Sequence, residues 1–417
     1  MHKIERLLQT LAPKGVEFKT LEEVFEIKNG YTPSKNNPEF WKNGTIPWFR
    51  MEDIRENGRI LKDSIQHITP KALKGKKLFP KNSIIISTTA TIGEHALLIV
   101  DSLANQRFTF LSKKANCDLA LDMKFFFYQC FLLGEWCKNN INVSGFASVD
   151  MTAFKKYKFP IPPLEIQQEI VKILDAFTEL NTELNTELNA RKKQYEYYQN
   201  MLLDFNDINQ NHKDAKMSAK PYPKRLKTLL QTLAPKGVEF RKLGEVCDFQ
   251  KGKSITKKAV TFGKIPVISG GRQPAYYHNE ANRSGETIAI SSSGVYAGYV
   301  SYWDIPVFLA DSFSVSPKQK TLMPKYLFHY LTTQQDAIHA TKSTGGIPHV
   351  YSKDLQNFLI PIPPLEIQQE IVKILDQFLA LTTDLLAGIP AEIKARKKQY
   401  EYYREKLLTF KPLQNKE

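Results

Sequence analysis

The sequence predicts an α+β protein in which two α/β domains are separated by two long helices packed as an antiparallel coiled coil, in a pseudo-twofold tandem repeat. The first observation is that three segments occur twice in the same order: LLQTLAPKGVEF at 7–18 and 229–240, PIPPLEIQQEIVKILD at 160–175 and 361–376, and ARKKQYEYY at 190–198 and 395–403. The second is that the blocks between them, 19–159 and 241–360, share little sequence. Shared connectors around unlike blocks indicate one kind of partner and two different ligands. Duplication without functional division is the alternative.

The composition is that of a folded protein with a polyanionic partner. With 417 residues the chain can bury two cores. It carries 58 Lys and Arg against 43 Asp and Glu, a net charge of +15, which favours nucleic acid as a partner. No uninterrupted apolar stretch approaches the roughly 20 residues that cross a bilayer, and the N-terminus lacks the pattern of a secretory signal. We therefore expect a cytoplasmic protein without a membrane partner.

The repeats also set the predicted domain boundaries. These are an N-terminal domain at 1–159, a first helical spacer at 160–205, a linker at 206–228, a C-terminal domain at 229–360, a second helical spacer at 361–410 and a tail at 411–417. The linker is predicted from its polar, lysine-rich composition and its two prolines.

Each spacer is predicted to be one long helix that begins after the PIPP segment. Proline suits a first helical turn, and apolar residues then recur three, four or seven positions apart, which gives one apolar stripe. About 40 residues at 1.5 Å each make a rod of roughly 60 Å, and two such stripes bury each other as a coiled coil. The second copy has four additional residues around AGIPAEI, where Gly388 and Pro390 should bend or unwind the helix.

The variable blocks are each predicted to be a compact α+β domain. β-Branched runs interrupted by glycine, at 83–100 and 286–303, predict short strands with tight turns. Helices are expected later in each block, at 122–140 and 323–341.

No catalytic site and no metal site are predicted. The sequence has neither the glycine motif of dinucleotide-binding proteins nor the Asn/Asp-Pro-Pro-aromatic motif of adenine methyltransferases. KGKS at 251–254 lacks the first glycine of a phosphate-binding loop, because Cys247 occupies that position. The eight His and four Cys show no ligand spacing, so buried thiols are expected rather than zinc or disulfides. A binding protein is favoured over an enzyme.

One region of each block combines basic, amide and hydroxyl side chains in turn-rich sequence. Lys and Arg suit phosphates, whereas Ser, Asn, Gln and Arg suit base edges. In the first block the candidate DNA-binding residues are Lys28, Ser34, Lys35, Asn36, Asn37, Lys42 and Arg50. In the second block they are Lys251, Lys253, Ser254, Lys257, Arg272, Gln273 and Arg283. The neighbouring aromatics are expected to pack within the domains rather than to bind DNA: Trp41, Trp48, Tyr276 and Tyr277.

In this doubled order the chain resembles the specificity subunit of type I restriction-modification systems, over nearly its whole length. The motifs that carry the resemblance are GYTPS, PEFW and GTIPWFRMEDI in the first block, ATIGEHALL and SSSGVYAGYV in the middle of the blocks, and STGGIPHVYSKDLQNFLIPIPPLEIQQEI at the end of the second. The resemblance implies that each block is a target recognition domain for one half of a bipartite double-stranded DNA sequence. It also implies that the spacers set the gap between the halves and dock two modification (methyltransferase) subunits, with restriction subunits joining through the complex.

The resemblance further implies that this chain binds no cofactor. S-Adenosylmethionine, ATP and Mg²⁺ would be used by the partner subunits, and adenine would be the methylated base. The helical repeats supply the expected partner-binding residues, which are Ile166, Ile170, Leu174, Arg191, Tyr195, Ile367, Ile371, Leu375, Arg396 and Tyr400.

Two other classes of protein were weighed against this one. The first is a coiled-coil scaffold whose variable domains bind proteins, for which any DNA binding should depend little on salt. The second is a fused enzyme that acts alone, which the absent methyltransferase motifs disfavour. For the DNA-reading alternative, half-sites on one face of B-DNA should lie roughly 34 Å apart, centre to centre.

Overall fold

The computed structural model describes residues 2–142, 147–206, 221–318, 320–343, 346–383 and 388–413. The chain forms two compact units: unit 1 comprises Met1–Glu183 with Lys394–Glu417, and unit 2 comprises Leu184–Ile393. Each unit therefore joins one variable block to the first part of the helical repeat that follows it and to the last part of the other helical repeat. The predicted α+β class and tandem doubling are confirmed, but the compact units differ from the sequential segments expected from the repeats.

Unit 1 contains a five-stranded sheet and a smaller three-stranded one. Its strands are β1 (Glu17–Thr20), β2 (Phe25–Asn29), β3 (Ile46–Phe49), β4 (Ile60–Leu61), β5 (His67–Ile68), β6 (Ile84–Ser87), β7 (His95–Leu98), β8 (Leu103–Ala104), β9 (Phe108–Lys113), β10 (Ile141–Asn142), β11 (Ser148–Val149) and β12 (Lys158–Ile161). The larger sheet has the order β2-β9-β6-β7-β4, and the smaller has the order β5-β3-β8. Its helices are α1 (His2–Leu11), α2 (Leu21–Val24), α3 (Met51–Asn57), α4 (Met123–Asn139), α5 (Met151–Lys155) and the beginning of α6 (Leu164–Leu203), with 3₁₀ turns at Pro38–Phe40 and Pro70–Leu73.

Unit 2 repeats this plan with a four-stranded and a three-stranded sheet. Its strands are β13 (Glu239–Lys242), β14 (Cys247–Lys251), β15 (Ile265–Ile268), β16 (Tyr276–His278), β17 (Thr287–Ser291), β18 (Val300–Trp303), β19 (Phe308–Leu309), β20 (Ser312–Pro317) and β21 (Leu359–Ile362). The sheet orders are β14-β20-β17-β18 and β16-β15-β19. Its helices are α7 (Lys224–Leu233), α8 (Leu243–Val246), α9 (Pro324–Thr333), α10 (Gln335–Ala340), α11 (Ser352–Leu355), α12 (Leu365–Thr383) and the beginning of α13 (Ile389–Leu408), with a 3₁₀ turn at Lys257–Ala259.

The central strand β6 explains why the sequence shows a continuous apolar run there. Ile84, Ile85 and Ile86 are all fully buried. Successive side chains point to opposite faces of a sheet, and Ile84 and Ile86 belong to one core cluster while Ile85 belongs to another. The sheet is therefore covered on both faces. The strands expected in 83–100 and 286–303 and the helices expected in 122–140 and 323–341 are confirmed.

The opening and closing repeats fold against each other, which explains why both are repeated. In unit 1, β1 pairs antiparallel with β12, so that Phe18 lies opposite Pro160. In unit 2, β13 pairs with β21, and Phe240 lies opposite Pro361. The first prolines of PIPP thus belong to strands, and the helices begin at Leu164 and Leu365. The starts expected for the spacers, at 160 and 361, therefore lie within strands. Proline is tolerated there because each of these strands pairs with one neighbour and leaves its other edge unpaired.

A buried glutamine makes the same three hydrogen bonds in each unit. Gln167 Oε1 accepts from the Asp122 N–H at 2.8 Å, and its Nε2 donates to the carbonyls of Ala120 at 2.8 Å and Pro162 at 2.7 Å. Around Gln368 the corresponding partners are the Met323 N–H at 2.9 Å and the carbonyls of Thr321 and Pro363 at 2.8 and 2.7 Å. These side chains join the start of each long helix to the loop before α4 or α9.

Several segments have other ends in the structure than the sequence predicts. Residues 224–228 of the expected linker are helical, whereas its residues 207–220 lie outside the described part of the chain. The expected tail is partly anchored, because the Val16 N–H donates to the Lys411 carbonyl and the Leu413 N–H donates to the Val16 carbonyl, both at 2.9 Å. Near AGIPAEI, one helix ends at Thr383 and the next begins at Ile389; residues 384–387 between them are not described.

The four cysteines are free thiols. Cys130, Cys137 and Cys247 are buried and Cys117 is half-buried, all of them unpaired. Burial raises the pKa of Cys137 and of Cys247 to about 12, so these thiols stay protonated at neutral pH. Within the described residues, no group of His, Cys, Asp and Glu could hold a metal ion. No helix among them is long and apolar enough to cross a membrane.

Candidate nucleic-acid interface

A basic cleft lies in unit 1 where β3 and β8 end side by side. These strands are parallel, with Phe49 opposite Ala104. The cleft has a volume of about 310 Å³. Its lining combines three arginines and a lysine with hydroxyl and amide side chains: Thr32, Lys35, Trp48, Arg50, Met51, Glu52, Arg55, Ser87, Thr91, Asn105, Gln106, Arg107 and Phe108. Donors of this kind suit phosphates and base edges.

Arg50 is held at the cleft by the first turn of α3. Its backbone N–H donates to Asp53 Oδ2 at 2.6 Å, and Asp53 Oδ1 accepts from the Ile65 N–H at 2.7 Å. The Arg50 guanidinium lies 5.9 Å from the centre of the Trp48 ring, and its Nε lies 3.8 Å from Glu52 Oε2. Asp53 is fully buried, so the backbone from which Arg50 projects is fixed.

Arg107 reaches the same cleft from a tight turn before β9. Asn105 Oδ1 accepts from the Arg107 N–H at 2.9 Å, and the Asn105 N–H donates to the Phe49 carbonyl at 3.0 Å. Thr32 and Gln106 are hydrogen bonded through their side chains across the cleft. Sequence reasoning placed Lys35 and Arg50 at an interface and the structure brings them together here. Arg107 was not predicted from the sequence, because the surrounding segment NQRF carries no recognisable motif.

A second cavity of about 630 Å³ adjoins the cleft in unit 1. It shares Met51, Arg55 and Thr91 with the cleft and extends to Arg59 and Lys138. The basic residues that it adds are Arg59 and Lys138, which are paired with Glu94 and Glu135. Arg55 was missed because it lies in a short helix that has no DNA-binding signature.

The remaining candidates of the first block lie around the loop 30–43. Lys35, Asn36 and Lys42 are exposed. Asn37 caps the 3₁₀ turn, since its Oδ1 accepts from the Glu39 N–H at 3.0 Å, and the Ser34 carbonyl accepts from Trp41 Nε1. Lys28 lies in β2 and is paired with Glu26. Of these residues, only Lys35 lines the cleft.

Unit 2 places different chemistry on equivalent backbone. β15 and β19 are parallel, with Ile268 opposite Leu309, and Arg272 lies in the loop that follows β15. The Arg107 carbonyl accepts from the Thr88 N–H at 3.2 Å in unit 1, and the Asp311 carbonyl accepts from the Ser292 N–H at 2.9 Å in unit 2. An exposed aspartate thus stands where unit 1 has an exposed arginine. The two units are therefore equipped for different ligands.

The predicted residues of the second block have two kinds of surroundings. Lys251, Lys253, Ser254, Lys257, Arg272 and Gln273 are exposed. The Arg272 guanidinium lies 5.0 Å from the Tyr296 ring centre and 5.8 Å from that of Tyr299. This stacking holds the cation on the loop surface while leaving its N–H edge available.

Arg283 corrects the sequence-based prediction. Its Nε donates to Ser314 Oγ at 2.9 Å, its Nη1 to the Asn282 carbonyl at 2.7 Å, and its Nη2 to the carbonyls of Gln250 and Lys251 at 3.0 and 2.9 Å. Burial lowers the pKa of this guanidinium. Because four of its five N–H donors are bonded within the domain, Arg283 joins β14 to β20 and is removed from the DNA-binding set.

The four aromatic residues expected to pack within the domains are buried or packed in the first block but exposed in the second. Trp48 is buried and its Nε1 donates to the Tyr31 carbonyl at 2.9 Å, and Trp41 meets it edge to face at 5.0 Å. Both tryptophans therefore pack within the domain, as expected. Tyr276 and Tyr277 are exposed on β16. The expectation that these two pack inside the domain is wrong.

The apolar residues predicted to bind a partner are also placed differently. Each long helix packs its apolar stripe on its own domain, so these side chains are fully buried in the cores of the units. They are Ile166, Ile170, Leu174, Ile367, Ile371 and Leu375. They are unavailable to a partner, and that prediction is wrong. Tyr195 is half-buried, and its hydroxyl lies 3.2 Å from His329 Nδ1. Tyr400 is also half-buried, and its ring centre lies 6.3 Å from that of Phe177. Arg191 and Arg396 remain at the helix surface, partly exposed.

Known proteins of similar sequence point to one family. The family model "Type I restriction modification DNA specificity domain" matches residues 13–193 and 235–395. The type I restriction enzyme EcoprrI specificity subunit of Escherichia coli is 40% identical over 400 residues, which cover 92% of this chain and 93% of that protein. The EcoR124I/EcoR124II specificity subunit of the same organism is 33% identical over 287 residues, 62% of this chain and 64% of that protein.

A solved structure shares the architecture. The S subunit of a type I restriction-modification system from M. genitalium superposes with a TM-score of 0.58 at 20% identity, covering 94% of this chain and 96% of that one. The two matches of the family model, one in each half, define a protein with two tandem DNA specificity domains. The chain belongs to the family of type I restriction-modification DNA specificity subunits. It is a non-catalytic recognition subunit, and a protein-binding scaffold is not supported.

Proposed function

We propose that each unit reads one half of a bipartite double-stranded DNA target. Unit 1 would bind through the cleft that contains Arg50 and Arg107, and unit 2 through the loops that contain Lys253 and Arg272. The observation that carries this proposal is the basic cleft at the ends of β3 and β8, where guanidinium and amide groups are held by buried backbone contacts. The remaining candidates, including Ser34, Asn36 and Lys42 beside the cleft, would add contacts on the exposed loop.

The chemistry of the two units supports two unlike half-sites. A guanidinium reads guanine O6 and N7, whereas a carboxylate accepts from the cytosine amino group. Arg107 and Asp311, on equivalent backbone, therefore favour different bases. Lysines such as Lys35 and Lys257 supply sequence-independent phosphate contacts, which fix the protein on the duplex.

We further propose that the helical repeats dock two modification subunits. Since the apolar stripe is occupied within the units, the docking surface is the exposed side of the ARKKQYEYY repeats. Tyr197 is 53% exposed and its counterpart Tyr402 is 60% exposed. Each follows a pair of exposed lysines on its helix: Lys192 and Lys193 before Tyr197, and Lys397 and Lys398 before Tyr402. Large aromatics with a polar rim are typical anchors of protein interfaces.

Methyl transfer and cleavage would then belong to the partners. Modification subunits would use S-adenosylmethionine to methylate adenine in each half-site, and restriction subunits would use ATP and Mg²⁺. The complex would act in the cytoplasm, where its DNA substrate lies. This chain contributes binding, spacing and sequence choice.

The experiment is to co-express this chain with its modification subunit and to map the methylated bases in the DNA of the expression strain. We expect a split motif, with two short specified halves around a fixed unspecified gap. Tyr197→Ala together with Tyr402→Ala should prevent assembly, while Tyr222→Ala, a tyrosine outside the helical repeats, serves as the control. An assembled complex that methylates no split motif would contradict the DNA-reading function.

A further inference from the structure

Phe262 is the most exposed large apolar side chain of the chain's described residues, with 95% of its surface in solvent. It stands at the tip of the loop that precedes β15 in unit 2. A single exposed apolar side chain needs no explanation by itself, but a phenyl ring held fully in water at a loop tip is uncommon. Its position therefore calls for a partner.

The residues on both sides of Phe262 are tied to the same histidine. The Thr261 N–H donates to His278 Nδ1 at 3.1 Å. Gly263 lies so close to the His278 carbonyl that a Cβ there would collide with the backbone. Both neighbours of Phe262 thus contact β16, and the phenyl ring between them lies in solvent.

The surroundings of this ring are positively charged. Lys257, Lys258 and Lys264 are exposed on the same loop, and Tyr277, beside His278 on β16, is 56% exposed. Among the described residues, none of these three lysines is paired with a carboxylate. Glu280 is the exposed acid that follows β16. An apolar tip among free cations fits a polyanion whose interior is apolar, which describes a DNA duplex.

Unit 1 has the same loop with a different tip. Asn43 precedes Gly44, which packs against the carbonyl of His67 on β5 as Gly263 packs against that of His278 on β16. Asn43 is exposed and adopts φ 58°, a conformation that asparagine tolerates. The tip thus carries an amide in one unit and a phenyl ring in the other. A position that is equivalent in fold but unlike in chemistry is suited to choosing between half-sites.

Resting on the function proposed above, we propose that Phe262 contacts the 5-methyl group of a thymine in the half-site read by unit 2. A phenyl ring offers no hydrogen bond, and the thymine methyl is the one apolar group that distinguishes a base pair in the major groove. Stacking on a base would be tolerant of sequence and would not distinguish half-sites. The lysines of the loop would meet the phosphates on either side.

The test uses the full chain assembled with its modification subunits and duplexes of the mapped target. Each thymine of the unit 2 half is replaced in turn by deoxyuridine, which removes only the methyl group. One replacement should weaken binding by the wild-type complex about fourfold, the effect of one methyl group leaving apolar surroundings. Phe262→Ala should bind thymine DNA with that same loss and should show no further loss with deoxyuridine.

Asn43→Ala is the matched control, because it alters the equivalent tip in unit 1. It should retain the full deoxyuridine effect in the unit 2 half. Equal deoxyuridine effects in the wild type and in Phe262→Ala would overturn the inference, as would unchanged binding by Phe262→Ala. These outcomes leave the split motif of the wild type in place, whereas failure of the proposed function removes the motif itself.

Discussion

Phe177 and Tyr403 stack within unit 1, with ring centres 5.6 Å apart and ring planes inclined by 26°. Phe177 lies in the first part of α6, and Tyr403 lies in the last part of α13. Their counterparts in the repeats, Phe378 and Tyr198, stack within unit 2 at 5.1 Å and 22°. The contact is thus made twice, with the two helical repeats exchanging roles. This exchange is what an antiparallel pairing of repeated helices requires.

We expect Phe177→Ala and Phe378→Ala to destabilise the protein by similar amounts, about 2 kcal/mol each. Both rings are half-buried, so the loss should be smaller than for a fully buried phenylalanine. In a double-mutant cycle with Tyr403→Ala, the Phe177 pair should couple by about 0.5 to 1.5 kcal/mol. Denaturant unfolding of the full chain measures both quantities. Coupling of Phe177 to Tyr198 instead of Tyr403 would contradict the pairing.

Gln167→Ala and Gln368→Ala should each cost about 2 to 4 kcal/mol. Removal of the amide leaves one backbone N–H and two carbonyls without partners in a buried position. The adjacent Gln168 and Gln369 are exposed, so alanine there is a matched control and should change stability by less than about 0.5 kcal/mol. Thermal unfolding distinguishes the two sets. Equal effects at buried and exposed positions would show that the network contributes nothing.

Arg50→Ala and Arg107→Ala should weaken DNA binding by the assembled complex and reduce its salt dependence. Each phosphate contact that is lost lowers the slope of log affinity against log salt by about 0.9. Lys155→Ala, an exposed cation on α5 outside the cleft, is the control of equal charge change. Titrations of labelled target DNA at several salt concentrations give the slopes. A control slope that falls as much as the cleft variants would point to net charge rather than to contacts.

His95 should make unit 1 less stable as the pH falls. It is buried between Phe127 and Phe131, and burial together with the positive charge of Arg59 lowers its pKa to about 3. The unfolded histidine takes up a proton below about pH 6.5 while the folded one stays neutral, so stability is lost from about pH 6.5 down to the folded pKa.

His95→Phe removes this titration. Between pH 6.5 and pH 5, the wild type should lose about 1 to 2 kcal/mol more than the variant does. Denaturant unfolding at a series of pH values measures the difference. Parallel curves for the two proteins would mean that His95 is protonated in the folded state, and the burial argument would then be wrong.

Much of the architecture could be predicted because repetition is visible in the sequence without any structural knowledge. The identical segments at 160–175 and 361–376 indicated two halves, and the helical spacing after PIPP indicated the long helices. The boundaries were less accurate. Pairing of β1 with β12 depends on contacts across about 140 residues, and no local pattern shows that Pro160 lies in a strand instead of beginning a helix.

The site was only partly predictable because sequence shows residue types but not their partners. Arg283 is of the residue type that contacts DNA, yet four of its five N–H donors are bonded inside the domain. Arg107 has no motif around it and becomes a candidate only because β3 and β8 end together. The stripe of Ile166 and Leu174 fits equally well a partner surface or a core, and only burial decides.

The most direct measurement is to exchange residues 19–159 for the corresponding block of a relative and to map the methylated bases again. We expect one half of the split motif to change while the other half and the gap remain the same, since unit 2 and the helical repeats are unaltered. A change in both halves, or in neither, would contradict the claim that each variable block reads its own half of the target.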